Sequence, residues 1–325
     1  MNARALPHPH AVQPRSRAWP TRSLLATASL IGFGITTQGH ATALTAGDIL
    51  GQFNAVISGN FTSNSDVEGR LVANALQGGS TFYLPRGTAV ASSFGVVNAI
   101  TVGSGVTNAN VNNGGNVDVQ GSNQGHFNLN GGGRITSTPA FAITDFTTPL
   151  NALTSQLAGL SANSTINASD PNNFTFNETP DASGTAVFKL DSSTLASARN
   201  LVFNGTASTI IINVTGTSYV DTTNFNTSAY FNQHVIWDFA QATSLSFQNW
   251  HGSVLAPLAT VSNSSAMEGT LYARNFNGSG ELHDFTFAGT LPAQATSVPE
   301  PASASLLGCA LLSLGIVSSR RRKRT

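Results

Sequence analysis

Between about residues 50 and 290, short runs of alternating apolar and polar residues are separated by glycine, asparagine, serine and proline. Runs of four to six residues rich in valine, isoleucine, leucine and phenylalanine are typical of half-buried strands. The pattern therefore predicts a mainly β protein with many turns. Examples of the predicted strands are Phe53–Ile57, Leu71–Ala75, Ala99–Val102, Asn116–Val119, Leu201–Phe203, Ile210–Val214, His234–Phe239, Ser253–Ala256 and Gly269–Ala273.

One segment has a different spacing. Between Phe146 and Leu160, leucines recur at intervals of three and four residues, which places them on one face of a helix. Pro149 is expected in the first turn of this helix, where its missing N–H costs little. The sequence thus predicts one long amphipathic helix.

Two stretches 200 residues apart share the pattern Glu-Gly-x-Leu-x-Ala, and each follows a turn rich in asparagine or serine. They are Glu68–Leu76 and Glu268–Phe276. In a parallel β-helix, equivalent segments can stack as neighbouring rungs, so the first and last parts of the domain are expected to lie side by side. A chance similarity within a biased composition is the alternative.

The two ends of the chain carry the pattern of targeting segments. Four arginines precede a short apolar run at Ser23–Ile35, and small residues follow, so we predict a signal helix within residues 1–43 and cleavage between Ala43 and Leu44. At the other end, residues 302–319 are uncharged and long enough to cross a bilayer core of about 30 Å. The basic run Arg320–Arg324 follows them and is expected to stay cytoplasmic.

The C-terminal segment, residues 298–325, begins with Pro299, Glu300 and Pro301, and this order resembles the PEP-CTERM sorting signal. The resemblance implies a transmembrane helix that an exosortase-type processing enzyme recognises and removes. It also implies a Gram-negative bacterium and an exported protein, transiently or stably membrane-anchored, at the cell surface or in the extracellular matrix. A plain C-terminal membrane anchor is the alternative.

Charge and cysteine usage limit the function of the remaining domain, residues 44–297. It holds six basic and fourteen acidic residues, a net charge of −8, although the whole chain is neutral. A nucleic-acid partner is therefore excluded, because phosphates would be repelled. The only cysteine, Cys309, lies outside this domain, so we expect neither disulfides nor thiol chemistry in it.

No catalytic, cofactor or metal motif is evident in the domain. The serine-hydrolase pattern Gly-x-Ser-x-Gly is absent, and the histidines lack the spacing of a zinc site. Asp66, Glu68 and Glu268 could form an acidic group for glycoside hydrolysis or calcium binding if the two repeated segments stack. Alternatively, each glutamate accepts hydrogen bonds from backbone N–H groups at a turn. We also expect His251 and His283 to bond neighbouring strands or turns.

A set of segments in a fixed order resembles the choice-of-anchor A domain. The resemblance implies a surface or matrix protein whose relatives carry alternative attachment tails, without supplying a mechanism. Asp238 stands where asparagine is expected, and Leu258 where asparagine is commoner. The matching segments are Ile49–Val56, Asp66–Arg70, Ile210–Gly216, Val235–Phe239, Trp250–Pro257 and Glu281–Phe285.

The segment His251–Pro257, followed by Glu268–Leu271, is also similar to the closing rungs of bacterial ice-binding and adhesive β-helices that carry a flanking helix. The expected fold is therefore a right-handed parallel β-helix-like domain with one long α-helix packed alongside.

The expected function is that of a non-enzymatic adhesin that contacts extracellular polysaccharide or a neighbouring cell surface. Uncharged hydroxyl and amide groups suit weak multivalent contact, and exposed aromatic rings could stack on sugars. One alternative is an ice-binding β-helix, although the sequence has no sustained Thr-x-Thr ladder; another is a carbohydrate-active enzyme using Asp66, Glu68 or Glu268. Most aromatic side chains are expected in the core, and the candidates for stacking, if they face solvent, are Tyr219, Tyr230, Trp237, Trp250 and Tyr272.

Overall fold

The computed structural model describes residues 44–84, 100–137, 141–224 and 227–293. The expected signal helix with Ala43, and the expected transmembrane helix with Pro299, Glu300 and Pro301, lie outside these residues. Within the described ranges, no helix is long and apolar enough to cross a membrane.

Strands account for most of the regular structure, and the helices are few. The helices are α1 (Ala46–Leu50), α2 (Thr144–Gly159), α3 (Ser192–Ala196) and α4 (Ala229–His234), with one 3-10 turn at Pro171–Asn173. The strands in the first half are β1 (Phe53–Ser63), β2 (Arg70–Gly78), β3 (Thr81–Tyr83), β4 (Ile100–Asn112), β5 (Val117–Val119), β6 (His126–Leu129), β7 (Ile135–Thr136), β8 (Thr165–Asn167), β9 (Phe174–Asn177) and β10 (Thr185–Asp191). Those in the second half are β11 (Leu201–Asn204), β12 (Thr209–Thr215), β13 (Ser218–Val220), β14 (Val235–Asp238), β15 (Ser244–Phe247), β16 (Trp250–His251), β17 (Ser253–Asn263), β18 (Met267–Glu268), β19 (Leu271–Gly278) and β20 (Leu282–His283).

One large sheet contains most of the strands, in the order β10-β12-β14-β17-β19-β1-β2-β4-β5-β7. Every pairing along this order is parallel. Two smaller sheets have the orders β11-β9-β8 and β16-β18-β20. The prediction of a mainly β fold with parallel sheets is confirmed.

Buried side chains are stacked in register along the inner side of the large sheet. Trp237 pairs with Val254, Val254 with Leu271, and Leu271 with Ala55, and all are at most 1% exposed. Each large apolar side chain of this kind stabilises the fold by about 1.5–3 kcal/mol relative to an exposed one. The alternating apolar positions that predicted the strands are therefore the positions that form this core.

The long helix is present, and α2 begins two residues earlier than the leucine spacing indicates. The expectation that Pro149 lies in the first turn is wrong, because the helix starts at Thr144. Phe146 explains the earlier start: it is buried in the first turn and meets Phe53 edge to face, with ring centroids 5.2 Å apart. Aromatic packing of this geometry stabilises the turn before the proline.

Helix α2 covers the outer side of the large sheet and creates a second core. Leu150, Leu153 and Leu157 are fully buried there, against outward-facing side chains of several strands. These partners include Val56 and Tyr272, and the Tyr272 hydroxyl donates to Asn151 Oδ1 at 2.8 Å. The sheet is thus buried on both faces wherever the helix lies, as its continuous apolar runs require.

Strand β1 lies between the two repeated segments of the sequence. It pairs with β19 on one side and with β2 on the other. The expectation that the first and last parts of the domain lie side by side is confirmed. The repeated segments themselves are not direct neighbours, because β1 separates them.

Asn54 links the three strands through its side chain, which is fully buried. Its Nδ2 donates to Gly269 O at 3.0 Å and to His283 O at 2.9 Å, and its Oδ1 accepts from Gly69 N at 3.3 Å. The close approach also explains the glycine of the first repeat: a Cβ at Gly69 would lie 2.5 Å from Asn54 Cβ.

The segment after β20 returns across the start of the domain. Phe287 N donates to Leu50 O, Thr290 N donates to Thr209 Oγ1, and Gln156 Nε2 donates to Ala293 O at 2.8 Å. These bonds attach the last described residues to α1, β12 and α2.

Replacement of Asn54 by aspartate is expected to destabilise the protein by about 3 kcal/mol or more, because two donors are lost and a charge is buried among carbonyl groups. Urea unfolding at neutral pH measures the loss. Asn60→Asp, on the exposed part of the same strand, is the matched control and should change stability by less than about 0.5 kcal/mol. Equal losses in the two variants would contradict the role given to Asn54.

Candidate functional site

A second side of the domain is formed by β13, β15, the later halves of β17, β19 and β1, and parts of β2 and β4. Its inner positions are buried and in register: Tyr219 pairs with Leu245, Leu245 with Val261, and Val261 with Phe276. Phe276 pairs in turn with Phe61. Because side chains alternate along a strand, the residues flanking these positions point outward.

The outward positions form two rows of uncharged residues, here called the hydroxyl–amide face, which are polar except for Ala75 and the exposed Val220. All are exposed or half-buried, and none is charged. The first row is Ser218, Ser244, Thr260, Asn275, Asn60, Ala75 and Ser104. The second row is Val220, Ser246, Ser262, Asn277, Thr62 and Gln77.

The hydroxyl–amide face is regular and partly pre-ordered. With strands about 4.8 Å apart, the seven positions of the first row extend over about 30 Å. Asn275 Oδ1 accepts from Asn60 N at 3.0 Å, and Asn275 Nδ2 donates to Thr260 Oγ1 at 3.3 Å. These bonds along the first row reduce the rotamer freedom of Asn275 that a bound partner would otherwise have to remove.

A second cluster, here called the histidine–glutamate ladder, lies where the chain turns between these sides. Its members are adjacent on neighbouring parallel strands and alternate in chemical type: His251, Glu268, His283 and Glu68. Beneath them, the preceding residues form a buried row. That row is Trp250, Met267, Leu282 and Val67.

The ladder is held by contacts between its side chains. His251 Nδ1 lies 3.3 Å from Glu268 Oε2, and His283 Nδ1 lies 3.5 Å from Glu268 Oε1. His283 Nε2 contacts Glu281 Oε2 at 2.9 Å. Asn232 donates to Glu268 Oε2, and its own Oδ1 lies 3.0 Å from His251 Nδ1. The expectation that both histidines bond neighbouring strands is confirmed.

Burial and neighbouring charges shift the pKa values of His251 and His283 in opposite directions. Burial lowers the pKa of His251, and the attraction of Glu268 offsets only part of that effect. Burial would also lower the pKa of His283, but its contacts with Glu281, Glu68 and Glu268 outweigh burial, so its pKa is raised. Burial raises the pKa of the neighbouring Asp284 to about 6.

Two of the three acidic candidates for catalysis, Glu68 and Glu268, are members of this ladder. Glu68 and Glu268 lie two strand spacings apart, about 10 Å, with His283 between them. Glu68 Oε2 accepts from Asp284 N at 3.2 Å, as expected for a glutamate at a turn. Asp66 lies 3.5 Å from the Tyr83 hydroxyl. Among the described residues, no group of three or more histidine, cysteine or acidic side chains is arranged to hold a metal ion.

The aromatic candidates for sugar stacking are mostly unable to reach a ligand. Trp237 and Trp250 are fully buried, and Tyr219 and Tyr272 are at most 3% exposed. Tyr230 is 56% exposed, and its ring stacks on His234 at 3.8 Å. The expectation that most of these rings belong to the core is confirmed, because core packing and sugar stacking require the same residue types.

The hydroxyl–amide face was missed from the sequence, although a signal for it exists. Single apolar residues are flanked by serine, threonine or asparagine at residues 60–62, 244–246, 260–262 and 275–277. Each triplet alone reads as a turn, because such polar clusters are common in loops. Only their alignment on adjacent strands makes them a face.

The sequence matches a family model over residues 46–284, a range that spans most of the strands described above. The family is pAdhesive_15, described as "Putative Ice-binding-like adhesive domain". The chain belongs to this family. The match places both the hydroxyl–amide face and the histidine–glutamate ladder inside the ice-binding-like adhesive domain.

Two solved structures resemble this member of the family at low identity. The ice-binding protein from the Antarctic ascomycete Antarctomyces psychrotrophicus is 13% identical, with a TM-score of 0.29, and the alignment covers 75% of this chain and 100% of that one. The ice-binding protein from an Antarctic bacterium of the Flavobacteriaceae is 13% identical, with a TM-score of 0.31, over 69% of this chain and 62% of that one. No curated protein matches the sequence.

Replacement of His283 by glutamine is expected to destabilise the protein at low pH and to have little effect at high pH. A raised pKa in the folded state contributes stability below about pH 6.5, and that contribution is lost as the pH rises through the folded-state value. Unfolding temperatures of both proteins at pH 5.5 and pH 8.5 measure the difference. The exposed His126→Gln is the control; a pH-independent loss in His283→Gln would contradict the ion-pair role.

Proposed function

We propose that this protein is an exported, non-enzymatic adhesive protein that contacts extracellular polysaccharide or a neighbouring cell surface through its hydroxyl–amide face. The observation that carries the proposal is the regular, uncharged arrangement of that face over about 30 Å. Membership in the adhesive family supports the general class of function.

The chemistry of the face suits an uncharged polymer. Serine, threonine, asparagine and glutamine side chains both donate and accept hydrogen bonds, as sugar hydroxyls do. Each such contact contributes little in water, because water bonds are exchanged for protein bonds. A repeating polymer that meets several rungs at once gains affinity through effective concentration.

The strand order supports the finer interpretation of the fold as a right-handed parallel β-helix with α2 packed alongside. Successive strands of the large sheet follow chain order on either side of β1, and every pairing along the sheet order is parallel. Short corner strands such as β16, β18 and β20 repeat the same order beside it. In a β-helix, each rung would stack on the next in this way.

The sequence resemblances to choice-of-anchor A domains and to the PEP-CTERM signal support export and processing of the tail. The intact mass of native protein, recovered separately from the cell envelope and the medium, tests this part of the proposal. A species that starts near Leu44 and ends near Pro299 is expected. A species that retains Arg320–Arg324 in both fractions would contradict processing and indicate a membrane anchor.

A non-enzymatic function is supported by the way the ladder carboxylates are used. Glu268 accepts from Asn232 and contacts both His251 and His283, so it is part of a closed set of contacts. Glu68 accepts a hydrogen bond from the backbone N–H of Asp284. A glycosidase instead requires two carboxyl groups on either side of a bound sugar.

Ice binding is the second candidate function, and the regular face is the observation that favours it. Its rows mix serine, asparagine and glutamine with only Thr62 and Thr260, which fits a hydrated polymer better than a threonine array. Thermal hysteresis of the purified protein distinguishes the two: clear hysteresis with no retention on matrix polysaccharide would favour ice binding.

The double variant Ser244→Lys with Asn277→Lys changes one residue in each row of the face. Its retention on the organism's isolated polysaccharide is expected to fall by roughly tenfold or more, because the lysines add charge and bulk to two rungs. Retention is measured by sedimentation with the polymer. Ser155→Lys on the exposed side of α2 is the matched control. If the double variant and the control sediment with the polymer to the same extent, the face is not the contact surface.

A further inference from the structure

A pocket of about 250 Å³ lies between β11 and α4, and it is here called the tyrosine pocket. None of its described lining residues belongs to the rows of the hydroxyl–amide face or to the histidine–glutamate ladder. Phe203 and Phe231 form an apolar wall, with ring centroids 4.5 Å apart, and Tyr230 beside them is 56% exposed. The pocket therefore offers aromatic surface that a ligand in solution can reach. The residues that define it are Glu178, Phe203, Thr206, Tyr230, Phe231 and His234.

The ring of Tyr230 is held in place before any ligand arrives. It stacks on the ring of His234 with centroids 3.8 Å apart and planes 15° from parallel. Because a carbonyl oxygen can only accept, His234 Nδ1 donates to Tyr230 O at 2.6 Å, which fixes the histidine ring in turn. An aromatic ring that is ordered in advance loses little freedom on binding. Tyr230 is thus a rigid platform for the apolar face of a ligand ring.

Glu178 supplies an oriented carboxylate. Its Oε2 accepts from Ala207 N at 2.8 Å, and within the described part of the chain its Oε1 has no hydrogen-bond partner. Gly205 leaves the room for this arrangement, because a Cβ there would lie 2.5 Å from Glu178 Oε2. One oxygen therefore positions the side chain, and the other is left to accept from a ligand hydroxyl.

Three further polar atoms at the pocket are left for a ligand. The hydroxyls of Thr206 and Tyr230 have no bond to any described residue, and both residues are exposed. Since Nδ1 of His234 is the donor, Nε2 is an acceptor when the ring is neutral. The pocket thus combines an apolar wall with hydroxyl groups and hydrogen-bond acceptors. A sugar ring matches both, because its faces carry C–H groups and its edge carries hydroxyls.

We propose that the tyrosine pocket binds one neutral sugar unit at the end of a polysaccharide chain, with the sugar ring on Tyr230 and its hydroxyls on Glu178 and Thr206. No lysine or arginine is among the described residues that line the pocket, so a sugar that carries a carboxylate is repelled by Glu178. The volume lies just below the roughly 300–1,000 Å³ of drug-sized sites, which suits one ring rather than a longer segment.

This site is separate from the contact surface of the proposed function, although both take a saccharide. The hydroxyl–amide face meets many units of a polymer weakly, whereas the pocket encloses one unit. A ligand with about twelve non-hydrogen atoms in so open a site binds with a Kd on the order of 10⁻³ M. Single sugar units therefore test the pocket, and sedimentation of the face variant with polymer tests the face.

The test is saturation-transfer NMR of the full-length protein with methyl glycosides, which mimic a unit linked to a chain. The neutral probes are those of glucose, galactose, mannose and N-acetylglucosamine, and methyl glucuronide is the anionic probe. At least one neutral glycoside is expected to bind with a Kd on the order of 10⁻³ M, and the glucuronide several-fold more weakly.

Tyr230→Ala removes the platform, and Glu178→Gln removes the charge while keeping an oxygen that accepts from Ala207 N. Each is expected to raise the Kd of the bound glycoside by roughly tenfold. Leu258→Ala removes an equally exposed apolar side chain outside the pocket, so it is the matched control and should bind like the unaltered protein.

Three results would overturn the proposal: no neutral glycoside binds, the glucuronide binds as tightly as the neutral probes, or Tyr230→Ala binds like the Leu258→Ala control. If Glu178→Gln does not fold, Thr206→Val replaces it, because it removes one hydroxyl and keeps the side-chain shape. An unchanged Kd in the polar variant that is used also overturns the proposal.

Discussion

The position of β1 between β19 and β2 is the constraint on which the rest of the structure depends. A strand near the start of the domain joins a half built from earlier residues to a half built from later ones. Asn54 closes this junction with bonds to both halves, at sequence separations of 15, 215 and 229 residues. Because such distant contacts carry a large loop-closure entropy, the buried amide must be fully satisfied for the junction to be favourable.

The same junction determines where the functional surfaces can form. Helix α2 covers one outer side of the sheet and completes a second core there. Helix α2 does not cover the side with the hydroxyl–amide rows, whose regular spacing follows from the parallel register rather than from any one strand. The histidine–glutamate ladder occupies the corner, where β16, β18 and β20 bring together residues from three separate segments.

Local pattern was sufficient to predict nine of the strands and the long helix α2, because each reflects burial within a few residues. Strand β17 shows the limit: its start at Ser253 was predicted, but Pro257 and exposed Leu258 hid its continuation, where the register shifts before Thr260. The repeated Glu-Gly-x-Leu pattern located the junction without revealing that β1 lies inside it. No local sequence pattern indicates the role of Asn54. The hydroxyl–amide face and the histidine–glutamate ladder can be predicted only when the register between distant strands is known.

The arrangement of the last described residues has a mechanical consequence for an adhesive domain. A pulling force applied at Ala293 acts first on the hydrogen bonds that the returning segment forms with Gln156, Thr209 and Leu50. These bonds hold the segment against α2, β12 and α1. Behind that segment the chain runs through the short strand β20 into β19, which is paired on both sides and cannot be peeled away as an edge strand can. Tension from this end is therefore shared among many parallel backbone bonds, while the hydroxyl–amide face keeps its spacing.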